Sequence, residues 1–185
     1  MLEQEYLRRI LKAHVYDVAK ETPLQQAKLL SARTENKILL KREDLQSVFS
    51  FKLRGAYNKM ANLTPEERAR GVIAASAGNH AQGVALAAQR SGIKSIICLP
   101  DGAPISKVEA TRSYGAEICL VEGVYDDAYN KALQLRDEHG YTFIHPFNDE
   151  DVIAGQGTIG LELLEQLDDI DAVVVPLSLI HISEP

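Results

Sequence analysis

From Leu63 onward the chain alternates short apolar runs of β type with helical stretches, and Gly71, Gly92, Gly115 and Gly140 stand where successive helices should stop. Parallel strands cannot be joined by a tight turn, so this alternation points to an α/β domain with a largely parallel sheet. Thr64, Pro65 and Glu67 read as N-cap, first helical residue and capping-box partner, with strand Val72 to Ala75 after Gly71. His80 to Arg90 follows as a helix with Val84, Ala87 and Ala88 on its inner face, then strand Ser95 to Leu99. Pro104 opens a helix to about Tyr114, and Glu117 to Val121 is the next strand. Tyr125 to His139 is an amphipathic helix, and Tyr141 to Ile144 a fourth strand. Together they make a compact unit from about Tyr57 to Ile144. Around it lie a helical start, a β run Lys37 to Lys41, a helix from about Thr158 to Leu167 and a strand Ala172 to Val175, too few to complete a second domain. Strand order is not legible in the pattern.

The 185 residues, 45% hydrophobic and 25% charged, suit one ordinary globular domain. A formal net charge of -6 without a Lys/Arg cluster excludes the basic face that nucleic acid requires. Cys98 and Cys119 sit in apolar runs and read as reduced core residues; neither has the close Cys or His neighbours of a metal site, so no metal is expected. The first residues carry Glu3, Glu5, Arg8 and Arg9 and have no apolar signal core. No apolar run approaches the roughly 20 residues of a membrane span. A cytoplasmic protein without membrane contact is expected.

Three segments could carry chemistry. In Ser50 to Ala56, Lys52 is flanked by Phe51 and Leu53 at the start of a helix running to Met60. Burial favours the neutral amine, which can attack an aldehyde to form a Schiff base. The alternative is a surface lysine whose stem covers apolar neighbours. In Ser76 to Gly83, directly between a strand and a helix, the free N–H groups of the helix start suit a carboxylate or phosphate. Gly78 permits close approach, and the Ser76 hydroxyl and Asn79 amide add donors, while His80 could equally be a packing residue. Gly155, Gly157 and Gly160 match the dinucleotide pattern, yet no strand precedes them and no acidic residue lies about 20 positions on. Helix packing or a hinge is the better reading of those glycines.

Lys41 to Asp44, Ser50 to Ala56, Ser76 to Gly83 and Ala154 to Thr158, in that order, resemble the motif series of threonine dehydratases in the tryptophan-synthase-β class of pyridoxal-phosphate enzymes. Tyr6 to Leu24, with Val15, Tyr16, Thr22 and Pro23, is similar to the biosynthetic branch, which serves isoleucine synthesis. The resemblance covers roughly residues 5 to 176. It implies a three-layer parallel-sheet α/β fold, with residues 1–56 opening a large domain, 57–147 forming a small subdomain and 148–176 re-entering the large domain. It also implies that Lys52 carries pyridoxal 5'-phosphate and acts as base on the substrate's α-carbon. Phe51 would pack against the cofactor ring and Asn79 would bond its phenolic oxygen. Ser76, Gly78, Asn79 and His80 would grip the carboxylate of an amino-acid substrate. L-threonine would end as 2-oxobutanoate and ammonia, in a homo-oligomeric enzyme.

Residues 177–185 depart from the family. They resemble a translated sequencing adapter, and Leu177 to Ile182 stand where the family has a glycine-rich phosphate loop. Bulky and β-branched residues resist the positive φ of such a nest, so phosphate anchoring should fail and the chain in this form is expected to be an inactive fragment. Two alternatives share its features. One is a serine dehydratase or racemase of the same class; the other is a non-catalytic α/β domain that binds a small anion at the Ser76 turn.

Overall fold

The computed structural model describes residues 2–175. The chain begins with helix α1 (Leu2–Leu11), strand β1 (Leu24–Gln26), helix α2 (Lys28–Thr34), strand β2 (Leu39–Lys41) and a 3-10 turn at Glu43–Leu45. Strands β1 and β2 pair antiparallel, with Leu24 opposite Lys41. The β run expected from Lys37 is thus shorter, and its polar partner Leu24–Gln26 was not anticipated.

Helix α3 (Lys52–Ala61) leads into α4 (Pro65–Arg70), whose start is the expected reciprocal cap: Thr64 accepts from the Glu67 amide and Glu67 accepts from the Thr64 amide. Gly71 ends α4 at φ +96, where a Cβ would lie 2.9 Å from the Lys94 carbonyl oxygen. Then follow β3 (Val72–Ala75), α5 (Asn79–Ser91), β4 (Ser95–Pro100), α6 (Ile105–Ser113), β5 (Glu117–Val121), α7 (Tyr125–His139), β6 (Thr142–Phe143) and α8 (Glu150–Gln166). All four strands β3 to β6 run parallel, in the order β5-β4-β3-β6.

Residue alternation along these strands makes three layers. Val72, Ala74, Ile97 and Leu99 face Leu53, Ala56 and Met60 of α3 and Val84, Ala87 and Ala88 of α5. Ile73, Ala75, Ile96 and Cys98 face Ala128 and Ala132 of α7 on the other side. Strands covered on both faces read as unbroken apolar runs, which is why β3 and β4 were visible in sequence. The chain leaves β3 towards β4 and β5, then returns through α7 to place β6 on the opposite flank of β3. The crevice between the ends of β3 and β6 is therefore a topological switch point, where open α/β sheets bind ligands.

Helix α8 begins at Glu150, well before the expected Thr158, and takes in the whole glycine series. Asp149 caps it, accepting from the Asp151 and Val152 amides at 2.9 and 3.2 Å. Gly155 and Gly55 bring α8 and α3 into backbone contact, so packing is the role of that glycine. The strand expected at Ala172 to Val175 is not formed; Val174 is 92% exposed. An apolar run becomes a strand only beside another strand, and none lies next to it among the described residues. Cys98 is buried as expected, but Cys119, its neighbour in register on β5, is only half-buried. Residues 177–185, including the segment in place of the glycine-rich loop, lie outside the described residues.

Candidate active site

Lys52 is the first residue of α3, and its half-buried side chain reaches the switch-point crevice. Its Nζ donates to the Pro146 carbonyl at 2.6 Å, just past the end of β6. Burial lowers the amine's pKa below the usual lysine value of 10.5. Among the described residues no carboxylate offsets this, since the partner is a neutral carbonyl. Phe51, one residue earlier, holds its ring centroid 5.5 Å from that nitrogen and is 38% exposed.

The Ser76 turn lies at the end of the neighbouring strand. The Ser76 amide continues the β3–β4 ladder to the Cys98 carbonyl at 3.1 Å, and its Oγ accepts from the Gly78 amide at 3.2 Å. Gly78 is the N-cap of α5, with no side-chain cap and open space where a Cβ would stand. The first turn of α5 thus keeps N–H groups free to meet an anion. The Asn79 side chain is exposed and has no hydrogen-bond partner among the described residues.

His80 turns inward and is buried; its Nε2 lies 2.9 Å from the Ile144 carbonyl, so Nε2 is the donor and Nδ1 is left without a partner among the described residues. Burial pushes its pKa down to about 4, against a smaller opposing effect of that carbonyl, and the Lys52 and His145 charges lower it further. Lys52 and His80 thus come together at one strand end, on the carbonyls of Pro146 and Ile144. Gly83, one helical turn along α5, fixes the spacing: a Cβ there would lie 3.1 Å from the Leu53 nitrogen and the Lys52 carbonyl carbon.

Sequence reasoning missed the β6 side of the crevice, His145 and Pro146, although Pro146 just after an apolar run marks a strand end. It also missed how α3 is held. Arg54, fully buried, pairs with Glu43 at 2.8 Å and Glu162 at 2.6 Å, and bonds Thr158 at 3.1 Å. Lys41 meets the other Glu162 oxygen at 2.5 Å, and the Tyr16 hydroxyl donates to Glu162 at 3.0 Å. Burial disfavours the Glu162 carboxylate, but the bonds from Arg54 and Lys41 outweigh that and leave its pKa below the ordinary value. This network anchors the turn from which Lys52 projects.

A partly desolvated amine and an uncapped helix start at a switch point are what an aldehyde-bearing, anionic cofactor needs. The sequence profile of the pyridoxal-phosphate-dependent enzymes matches residues 15–178. The chain belongs to that family. It is 54% identical over 181 residues to the biosynthetic L-threonine dehydratase of Burkholderia multivorans, covering 96% of this chain and 36% of that protein. The L-threonine ammonia-lyase of Thermotoga maritima is 55% identical over 161 residues, covering 87% of this chain and 40% of that protein. The chain therefore spans little more than a third of these curated relatives. Among solved structures, the processed threonine deaminase isoform 2 of Solanum lycopersicum superposes with a TM-score of 0.87 at 52% identity, covering 90% of this chain and 48% of that one. Maize serine racemase superposes with a TM-score of 0.85 at 36% identity, covering 90% and 50%.

Among the described residues, no group of His, Cys, Asp and Glu could hold a metal ion, and no helix is long and apolar enough to cross a membrane.

Proposed function

We propose that this chain supplies the cofactor lysine and the carboxylate-gripping turn of a pyridoxal-phosphate-dependent threonine dehydratase, which converts L-threonine to 2-oxobutanoate and ammonia. The observation that carries this reading is the Lys52 amine at the switch point, its pKa lowered by burial and its hydrogen bond among the described residues made to a neutral carbonyl. An amine so placed gives up its proton more readily than an exposed lysine, which suits it to bonding with an aldehyde and to taking a proton from a carbon held above it. Bound pyridoxal phosphate supplies the electron sink for the substrate's α-carbon.

In this reading the Phe51 ring flanks the cofactor and the Asn79 amide donates to its phenolic oxygen. Ser76, Gly78, Asn79 and His80 receive the substrate carboxylate, supported by the open, uncapped start of α5. His80 stays neutral at working pH, so its ring orients the turn without adding charge. Lys52 takes the α-proton, the β-hydroxyl leaves with a proton as water, and the enamine so formed is hydrolysed to 2-oxobutanoate and ammonia. The same reading divides the chain into a small unit at 57–147, which holds the four-stranded sheet, and flanking parts of a larger domain. It extends to a cytoplasmic homo-oligomer, with two unpaired cysteines in keeping with a reducing compartment.

Product analysis tests the assignment. In a protein carrying this sequence at the full length of the relatives, L-threonine should yield 2-oxobutanoate faster than L-serine yields its keto acid, and Lys52→Ala should abolish both. Racemised serine without keto acid would transfer the assignment to the racemase branch. Retained anion binding in an otherwise inert Lys52→Ala protein, with an inert parent, would favour the non-catalytic reading.

A further inference from the structure

The carbonyl that receives Lys52 belongs to a turn whose shape depends on one ring nitrogen. His145 Nδ1 accepts the backbone N–H of Asn148 at 2.7 Å and of Phe147 at 3.2 Å. A ring nitrogen that accepts carries no proton, so neutral His145 holds its proton on Nε2. Pro146 has no N–H, and β6 has already ended at Phe143. Its carbonyl is thus fixed by its neighbours: upstream the Ile144 carbonyl receives His80 Nε2, and downstream Asp149 caps α8.

We propose that His145 is a positioning residue for Lys52: its unprotonated Nδ1 gathers the Phe147 and Asn148 amides into the turn that presents the Pro146 carbonyl to the Lys52 amine, and protonation of the ring opens that turn and frees the amine. The proposal rests on the reading of Lys52 as the cofactor lysine and adds a device that sets where its nitrogen waits.

The groups around the ring act in opposite senses. Burial disfavours the imidazolium most, Asp149 at the α8 cap favours it, and Lys52 on α3 opposes it. His80 on α5 is buried and neutral, and the rings of Phe147 and Phe143 stand edge-on at 4.6 and 6.1 Å. The balance leaves His145 titrating below the ordinary histidine value of 6.5. The turn is intact at neutral pH and opens only as pH falls through a value below the ordinary histidine one.

Trace labelling with acetic anhydride from pH 8 downward, read by mass spectrometry, measures the reactivity of Lys52 against the exposed Lys94 of the same chain. In the parent protein the Lys52 to Lys94 ratio should rise at least threefold as pH falls through the His145 titration, which nitrogen NMR of the ring follows directly. His145→Gln, whose Oε1 accepts both amides at any pH, should keep the low ratio throughout; His145→Leu should show the high ratio already at pH 8. A flat ratio in the parent, or the same rise in His145→Gln, overturns the proposal even if His145→Leu does not fold. No cofactor enters the experiment, so failure of the dehydratase assignment would be seen separately, in product analysis.

Discussion

Gly155 and Gly55 touch backbone to backbone: a Cβ built on Gly155 falls 2.7 Å from the Gly55 Cα and 2.7 Å from the Arg54 carbonyl oxygen. Backbone cannot rotate aside as a side chain does. Gly155→Ala should therefore cost about 1–3 kcal/mol through forced separation of α3 and α8. Gly160, on the same helix with open space at its Cβ position, is the control, and Gly160→Ala should be stabilising by up to about 1 kcal/mol. Urea unfolding of the two variants checks the contrast.

Arg54→Met should be more damaging still. It leaves the Glu43 and Glu162 carboxylates without their shared guanidinium, and breaking a buried pair from one side costs about 3–5 kcal/mol. The acid limb of stability should change with Glu162. Its pKa is lowered in the folded chain, so its contribution is complete above the unfolded value near 4.5 and is lost as pH falls through the lower folded value. Unfolding midpoints measured down that range should fall less steeply in Glu162→Gln, which starts from a lower stability.

His80 acts in the adjacent, less acidic range. Its folded pKa of about 4 lies below its ordinary 6.5, so the unfolded chain binds the proton first. Stability due to this ring is complete above about pH 6.5 and declines as pH falls towards 4, by on the order of 3 kcal/mol. His80→Gln should remove that decline. An unchanged slope between these pH values would show that the ring is not buried neutral.

Cys98 should resist alkylation. Burial first, and the neighbouring Cys119 second, push its thiol up to about 12, so almost no thiolate exists at pH 8. Iodoacetamide should modify it only in urea, as peptide mapping would detect.

What could be read from the sequence follows what each element depends on. The bounds of strands β3 and β5 and helix α7 are legible to the residue, because apolar runs and the glycine at 140 are local signals, whether the run is fully buried as in β3 or half-buried as in β5. Strand β1 was invisible because Leu24–Gln26 is mostly polar and exists only through pairing with β2. The start of α8 was misplaced because Gly155 and Gly157 argue against a helix locally, whereas Gly155 is needed for contact with α3. In the site, Lys52 and His80 are legible through the motif series they belong to, since by spacing alone Lys52 reads as a surface lysine and His80 equally as a packing residue. The carbonyls of Ile144 and Pro146 are not, since they meet those side chains only because β6 returns to the flank of β3.

The close fit at Gly83 has a mechanical consequence. With the Lys52 end of α3 and the first turns of α5 bearing on each other through bare backbone, the distance between the amine and the Gly78 turn is a dimension machined into the scaffold. Any methyl group added at that bearing surface would reset it.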